Sequence, residues 1–150
     1  MPNFTLQIVS PHGPLFNAAV CVSEARRTAL QAANQPIPNW HSIRALLDTG
    51  ASHTCLDPSV LTALGIPPHS TIQVLTPSTG NTPHQTEVYD VAILIPGATQ
   101  TDPPHILPTI AVAGCDLLQA QGYHALIGRD ILSRWVVHYN GPAGLFTVSY

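Results

Sequence analysis

Apolar and polar residues alternate from Phe4 to Val9, the pattern of a strand with one buried face. Pro11-His12-Gly13-Pro14 interrupts it, and the apolar run from Leu15 to Val22 predicts a second strand, so the two are expected to pair as a hairpin. Ser23 to Asn34 changes character. Ala, Leu, Arg, Gln and Glu follow a cap-forming Ser23, which predicts a short helix or a structured loop before Pro36 and Pro38 force extended chain. Ile43 to Leu47 reads as a buried strand. After Asp57-Pro58, the segment Leu56 to Leu64 has Val60, Leu61 and Leu64 at helical spacing, and Gly65 closes it.

Farther along, Ile72 to Thr76 and Glu87 to Ile95 predict two strands joined by the polar turn Pro77-Ser78-Thr79-Gly80-Asn81-Thr82-Pro83. Pro96 to Pro108 reads as an exposed connector, and Ile110 to Ala113 and Tyr123 to Ile127 as strands. Arg129 to Trp135 predicts a short helix. Val136 to Tyr139, the Asn140-Gly141-Pro142 turn and Leu145 to Tyr150 predict a terminal hairpin, whose last strand needs an edge partner. Fifteen prolines and ten glycines punctuate these short, often β-branched runs, which predicts an all-β sandwich or barrel rather than a helical bundle. At 150 residues and 45% hydrophobic content, one domain over 1–150 is expected.

Charge narrows the function classes. Only 9% of residues are charged and the net charge is −3, so no basic stripe exists to meet a phosphate backbone, and nucleic acid is not an expected partner. The five basic residues are Arg26, Arg27, Arg44, Arg129 and Arg134; without lysine there is neither Schiff-base chemistry nor a Walker-type phosphate loop. So sparse a surface charge also suggests apolar area covered by another subunit. Cys21, Cys55 and Cys115 are odd in number and widely spaced, which predicts reduced thiols rather than a disulfide framework or a zinc site. The eight histidines show no ligand pair at helical or strand spacing, so no metal and no other cofactor is expected. The N-terminus lacks a basic start and its apolar stretches are broken, so neither a signal peptide nor a membrane span is expected, and the location predicted is cytoplasmic.

The candidate chemistry lies in Leu46-Leu47-Asp48-Thr49-Gly50-Ala51-Ser52. A strand of apolar residues delivers a carboxylate into a Thr-Gly turn, where Gly50 lets the backbone approach a substrate and the Thr49 hydroxyl can satisfy neighbouring main-chain groups. Asp, Thr and Gly are also ordinary turn formers, so the triplet alone is a weak signal. His53 and Cys55 could pair as base and nucleophile, but nothing in the sequence supplies an orienting group or an oxyanion hole. A serine nucleophile elbow is absent.

The flanks, together with Ala125-Leu126-Ile127-Gly128-Arg129-Asp130-Ile131-Leu132, give the signal its specificity. The pattern resembles the retropepsin-like aspartic peptidases, in which an apolar-apolar-Asp-Thr-Gly-Ala/Ser loop is followed by a flap hairpin, an apolar-apolar-Gly strand and a short helix opening Arg-Asp or Arg-Asn. The likeness covers about residues 43 to 150. It implies a retropepsin-like closed barrel or sandwich with a flap hairpin and one or two short helices, assembled as a two-fold homodimer. It further implies Asp48 as the catalytic acid and Thr49 bonding across the interface, with the terminal strands intermeshed between subunits. Gly128 would pack closely behind the loop and Arg129 would brace it; the alternative for Arg129 and Asp130 is a local ion pair at a helix start. Gly50, Ala51 and Ser52 on the loop would contact an extended peptide, with Ser78, Thr79 and Gly80 folding over it as the flap tip, where the alternative is a plain exposed turn. Ser52 stands where viral members commonly carry an acid. Side chains lining the cleft are expected to include Ala51, Val74, Ile93 and Ile127.

Amide hydrolysis needs a base for water and an acid for the carbonyl oxygen or leaving nitrogen, which two carboxylates sharing a proton provide. None of Asp57, Asp90, Asp102, Asp116 or Asp130 follows an apolar strand in a second Thr-Gly or Ser-Gly setting, so a two-fold axis that brings Asp48 against its own copy is the economical solution. Two functions follow: an aspartic endopeptidase acting on peptide or protein, or a catalytically inactive retropepsin-like dimerisation or peptide-binding module.

Overall fold

The two strands expected to pair at the start of the chain join different sheets, and that divergence organises the fold. The computed structural model describes residues 1–75, 80–99 and 101–150. In chain order its elements are β1 (Asn3–Gln7), β2 (Leu15–Val22), α1 (Glu24–Ala32), β3 (His41–Leu47), β4 (Cys55–Leu56), α2 (Pro58–Ala63) and β5 (Ser70–Val74). There follow β6 (His84–Ile95), β7 (His105–Gly114), α3 (Leu118–Gln121), β8 (Ala125–Ile127), α4 (Arg129–Leu132), β9 (Val136–Asn140) and β10 (Leu145–Ser149).

The expected hairpin between the first two strands does not form. β1 pairs with β10, whereas β2 pairs with β3 along one edge and β6 along the other. Burial explains the choice: seven of the eight residues of β2 are buried or half-buried, so it needs neighbours on both sides, while β1 buries only Phe4. The turn survives as a single bridge between Val9 and Gly13.

Following the ladders gives a ring, β2-β3-β8-β4-β7-β6 and back to β2, with β5 attached outside on β6. It is a closed six-stranded barrel, which leaves no free edge along its circuit. β3 runs parallel to β8, and β4 parallel to β7. Their alternation divides residues between two faces. Ala45, Leu47, Leu56, Val112, Ala125 and Ile127 join the main core, while Leu46, Cys55, Ala113 and Leu126 join a second cluster with Leu15, Leu117 and Tyr123 on the opposite side.

β7 begins inside the segment expected to be a connector. Pro108 is tolerated there because Leu107 pairs with Ile93 and Ile110 with Val91, so two residues of β7 stand opposite the single Ala92; the missing N–H falls in a bulge. α3 was not anticipated. Ser23 caps α1 by accepting the Arg26 N–H, and Asp57 caps α2 at the Ser59 N–H.

The second sheet has the order β1-β10-β9. Phe146 and Val148 of β10 are fully buried, and the Phe4 ring lies 5.6 Å from that of Phe16, which seats this sheet on the barrel core. Burying a ring such as Phe146 contributes roughly 2–3 kcal/mol. The edge partner the last strand requires is thus β1 of its own chain. β10 is central, so the intermeshed terminal strands implied by the resemblance find no edge on it, and the free edges are β1 and β9. Among the described residues no helix is long and apolar enough to cross a membrane.

Candidate active site

Asp48 leaves the end of β3 where its N–H donates to the Ile127 carbonyl at 3.0 Å, the last bond before β3 and β8 separate. The chain then turns back on the carboxylate. Oδ1 accepts the N–H groups of Gly50 at 2.8 Å and Ala51 at 3.3 Å, whereas among the described residues no donor reaches Oδ2. A Cβ on Gly50 would lie 3.1 Å from Oδ1, so the tight turn favours glycine. Asp48 is half-buried; Thr49, Gly50 and Ser52 are exposed and Ala51 is half-buried.

Arg129 lies against this loop. Its Nη1 donates to the carbonyls of Thr49 at 2.8 Å and Gly50 at 3.1 Å, and its backbone N–H to that of Ala51 at 2.9 Å, so one residue holds three consecutive carbonyls. Asp130 turns inward instead of pairing with Arg129. Its Oδ2 accepts the Thr54 N–H at 2.9 Å and its Oδ1 the Thr54 hydroxyl at 2.8 Å, and that hydroxyl in turn accepts the Gly128 N–H at 3.1 Å. Thr54 is fully buried. A Cβ on Gly128 would fall 2.6 and 2.7 Å from the carbonyl carbon and oxygen of His53, so β8 passes behind the loop backbone against backbone.

A cavity of about 500 Å³ opens beside Asp48 and takes in the loop from Gly50 to His53. Val74 and Leu75, at the end of β5, reach it from the β5–β6 hairpin. Its floor is Ala113, Leu117 and Leu126 with the thiols of Cys55 and Cys115. Ala51 and Val74 therefore line the cavity, but Ile93 and Ile127 do not: both are fully buried in the barrel. The cause is strand parity, which turns Ile127 inward and its neighbour Leu126 out to the cleft. Gly80 is exposed, in the left-handed region at φ 58°, and is not among the lining residues. Ser78 and Thr79 lie outside the described residues.

Two features escaped the sequence reading. Tyr123 belongs to the cluster beneath the cavity, and its burial followed by the negative charge of Asp48 pushes its phenol upward. Asp57 ties two helix starts together, accepting Ser59 N–H and hydroxyl at Oδ1 (3.0 and 2.6 Å) and the N–H groups of Leu117 and Leu118 at Oδ2 (2.9 and 2.7 Å). Burial alone would raise that carboxyl, but these donors outweigh it and bring it down to about 2. The sequence places a helical spacing after Asp57-Pro58, but neither the cap formed by Asp57 nor its reach to Leu117 is legible there. For Thr54 the available signal was its position two residues past Ser52, on the segment Gly128 must cross.

A sequence model of the family described as aspartyl protease matches residues 34–130, a span that holds the Asp48 loop, the β5–β6 hairpin and Gly128-Arg129-Asp130. Among solved structures the chain is similar to a retropepsin-like aspartic protease from Rickettsia conorii, with a TM-score of 0.64 and 18% identity over 99% of this chain and 90% of that one. It is also similar to the EIAV protease in complex with the inhibitor HBY-793, with a TM-score of 0.46 and 16% identity over 86% of this chain and 93% of the other. No curated protein matches the chain. The likeness to the rickettsial protein concerns the fold and extends to both ends of the chain, including the β1-β10-β9 sheet. With more than half its length matched and the barrel closed around the Asp-Thr-Gly loop, the chain belongs to the aspartyl protease family and has its retropepsin-like fold.

Proposed function

We propose that this chain, as one domain over 1–150, is an aspartic endopeptidase in which two Asp48 carboxylates, one from each subunit of a homodimer, activate a single water between them. The observation that carries the reading is the asymmetry of Asp48, which borders a mostly apolar cavity: one oxygen is fixed by two N–H groups, and the other meets no donor among the described residues. A lone carboxylate cannot serve as base and acid in the same step. Four of the other five aspartates are engaged elsewhere: Asp57 and Asp130 accept backbone N–H groups, Asp90 faces His69 at 3.2 Å, and Asp102 accepts the Thr99 N–H at 2.9 Å. A second copy supplies the second acid when the two-fold axis passes through the loop. Thr49 and Arg129, exposed beside Asp48, are then available to the partner. Val136 and Tyr139, exposed on the free edge strand β9, are apolar area of the kind a subunit contact covers.

At close contact the two carboxyls share one proton. The charged one takes a proton from water as the water oxygen attacks the peptide carbonyl carbon. The protonated one gives its proton to the carbonyl oxygen, and collapse of the tetrahedral species sends a proton to the leaving nitrogen. The β5–β6 hairpin, which brings Val74 and Leu75 to the cavity, folds over an extended peptide and bonds its backbone as an added strand does.

The test is cleavage of a diverse unstructured peptide pool from acidic to neutral pH, beside Asp48→Asn, with sedimentation of both. Cuts that require Asp48 support the reading, and equal cutting by the variant overturns it. A monomer at every concentration overturns the shared site. Peptide binding without cuts points to the peptide-binding module instead.

A further inference from the structure

Two of the three cysteines meet on the cavity floor. Cys55 opens β4 and Cys115 follows the last residue of β7. Cys55 is paired with Ala113 and Leu56 with Gly114, and the Cys115 N–H donates to the Leu56 carbonyl at 2.9 Å, so the thiols stand on one face of neighbouring strands. Both line the cavity that Asp48 borders. Cys55 is buried, its Sγ 3.6 Å from the His53 carbonyl, while Cys115 is half-buried. Hydrogen bonding with Cys115, followed by burial, pushes the Cys55 thiol far above the usual range. The same bond draws Cys115 down, against burial and the charge of Asp116. Cys115 is also the more exposed of the two, so it is the thiol a small disulfide entering the cavity reaches first. Cys21 stands apart, fully buried, with its Sγ donating to the Pro38 carbonyl at 3.3 Å.

We propose that Cys115 and Cys55 are a dithiol pair that small disulfides oxidise, with Cys115 as the attacking thiolate and Cys55 as the resolving thiol. The Cys115 thiolate attacks one sulfur of R–S–S–R, forming a mixed disulfide and releasing RS⁻, which takes up a proton. Cys55 then gives up its proton, and its sulfur displaces the second RS⁻. The chain loses two hydrogens and the small disulfide becomes two thiols. The pair is diagonal across the β4–β7 ladder, and the bond from the Cys115 N–H to the Leu56 carbonyl holds Cys115 beside β4. That bridge ties the strand following the Asp48 loop to the strand paired with the hairpin, and it draws the cavity floor inward. Its effect on cleavage rests on the proposed function; its formation does not.

The test is incubation of the full chain with excess oxidised glutathione, alkylation of remaining thiols and peptide mapping. The expected product links Cys55 to Cys115 and leaves Cys21 alkylated. Cys115→Ser leaves the pair unreactive, and Cys55→Ala stops at a mixed disulfide on Cys115. An alkylated Cys115, a mixed disulfide that persists in the wild type, or a link through Cys21 overturns the proposal. Oxidation should lower cleavage of the peptide pool about tenfold or more, restored by reductant; unchanged cleavage by the bridged chain overturns the closure of the cleft. A chain that cuts nothing in either state counts against the peptidase reading, while the mapping still decides the thiol pair.

Discussion

Asparagine in place of Asp57 tests whether that carboxylate clamps the floor of the cleft. Both of its oxygens accept two donors, Oδ1 from Ser59 and Oδ2 from Leu117 and Leu118. An asparagine has one accepting oxygen and an NH2 that only donates, so whichever way the amide is turned, two donors lose their acceptor. A carboxyl brought from 3.8 to about 2 contributes about 2 kcal/mol to stability near neutrality. Two hydrogen bonds to a charged acceptor, at about 1.5 kcal/mol each, amount to about 3 kcal/mol. The expected loss is therefore about 2–3 kcal/mol, or roughly 4–12 °C in melting temperature for a chain of this size. The folded carboxyl is the stronger acid, so its contribution is full above the unfolded value of 3.8 and is lost as pH falls toward 2. Urea unfolding, followed by tryptophan fluorescence at fixed protein concentration, should show a gap between wild type and variant near pH 7 that narrows below pH 4. A gap under about 0.5 kcal/mol at neutrality, or one of constant size down to pH 2, would refute the clamp.

Three further outcomes are expected. Gly128→Ala forces a Cβ to within 2.6 Å of the His53 backbone and should cost roughly 2–3 kcal/mol in urea unfolding; a loss below about 1 kcal/mol would mean that β8 does not press on the loop. Thr54→Val keeps the shape but leaves the Gly128 N–H without its acceptor and Asp130 without the hydroxyl donor, at roughly 2–3 kcal/mol, whereas Thr54→Ser should recover most of that stability by the same measurement. Burial lowers the His105 imidazole, which stacks on Tyr150 at 4.6 Å, so the unfolded chain binds its proton more readily and the melting temperature should fall as pH drops below 6.5. His105→Phe should flatten that part of the melting profile, and an unchanged slope would assign it to another group.

Local signals read well where one physical rule dominated. Ser23 announced its helix because a cap acts over three residues, and Gly65 closes α2 at a positive φ of 62°. Strand partners read poorly. Phe4 to Val9 and Leu15 to Val22 look like a hairpin locally, yet each joins a different sheet because β2 is buried on both faces and β1 is not. The Asp48 loop and Gly128-Arg129 were legible as motifs, since glycine and an arginine fork leave type-specific marks. The cleft floor was not, because Cys115 and Leu117 reach it through a tertiary cluster, shared with Tyr123, that no short-range period announces. Apolar character does not reveal which way a three-residue strand faces, so the sequence offers Ile127 for the cleft where the structure places Leu126.

The three residues of β8 carry a consequence for how the molecule is made. They lie between β3 and β4, which precede them by some seventy to eighty residues in the chain, and they pair with both. Until Ala125 to Ile127 arrive, a nascent chain holds β3 and β4 each with a bare edge next to the Asp48 loop. Closing the barrel then requires a long chain loop to be ordered at once, which places this protein among slow folders with high contact order. The unpaired edge of β3 is then the segment most open to wrong pairing, so chains truncated before Ala125 should aggregate more readily than the full chain.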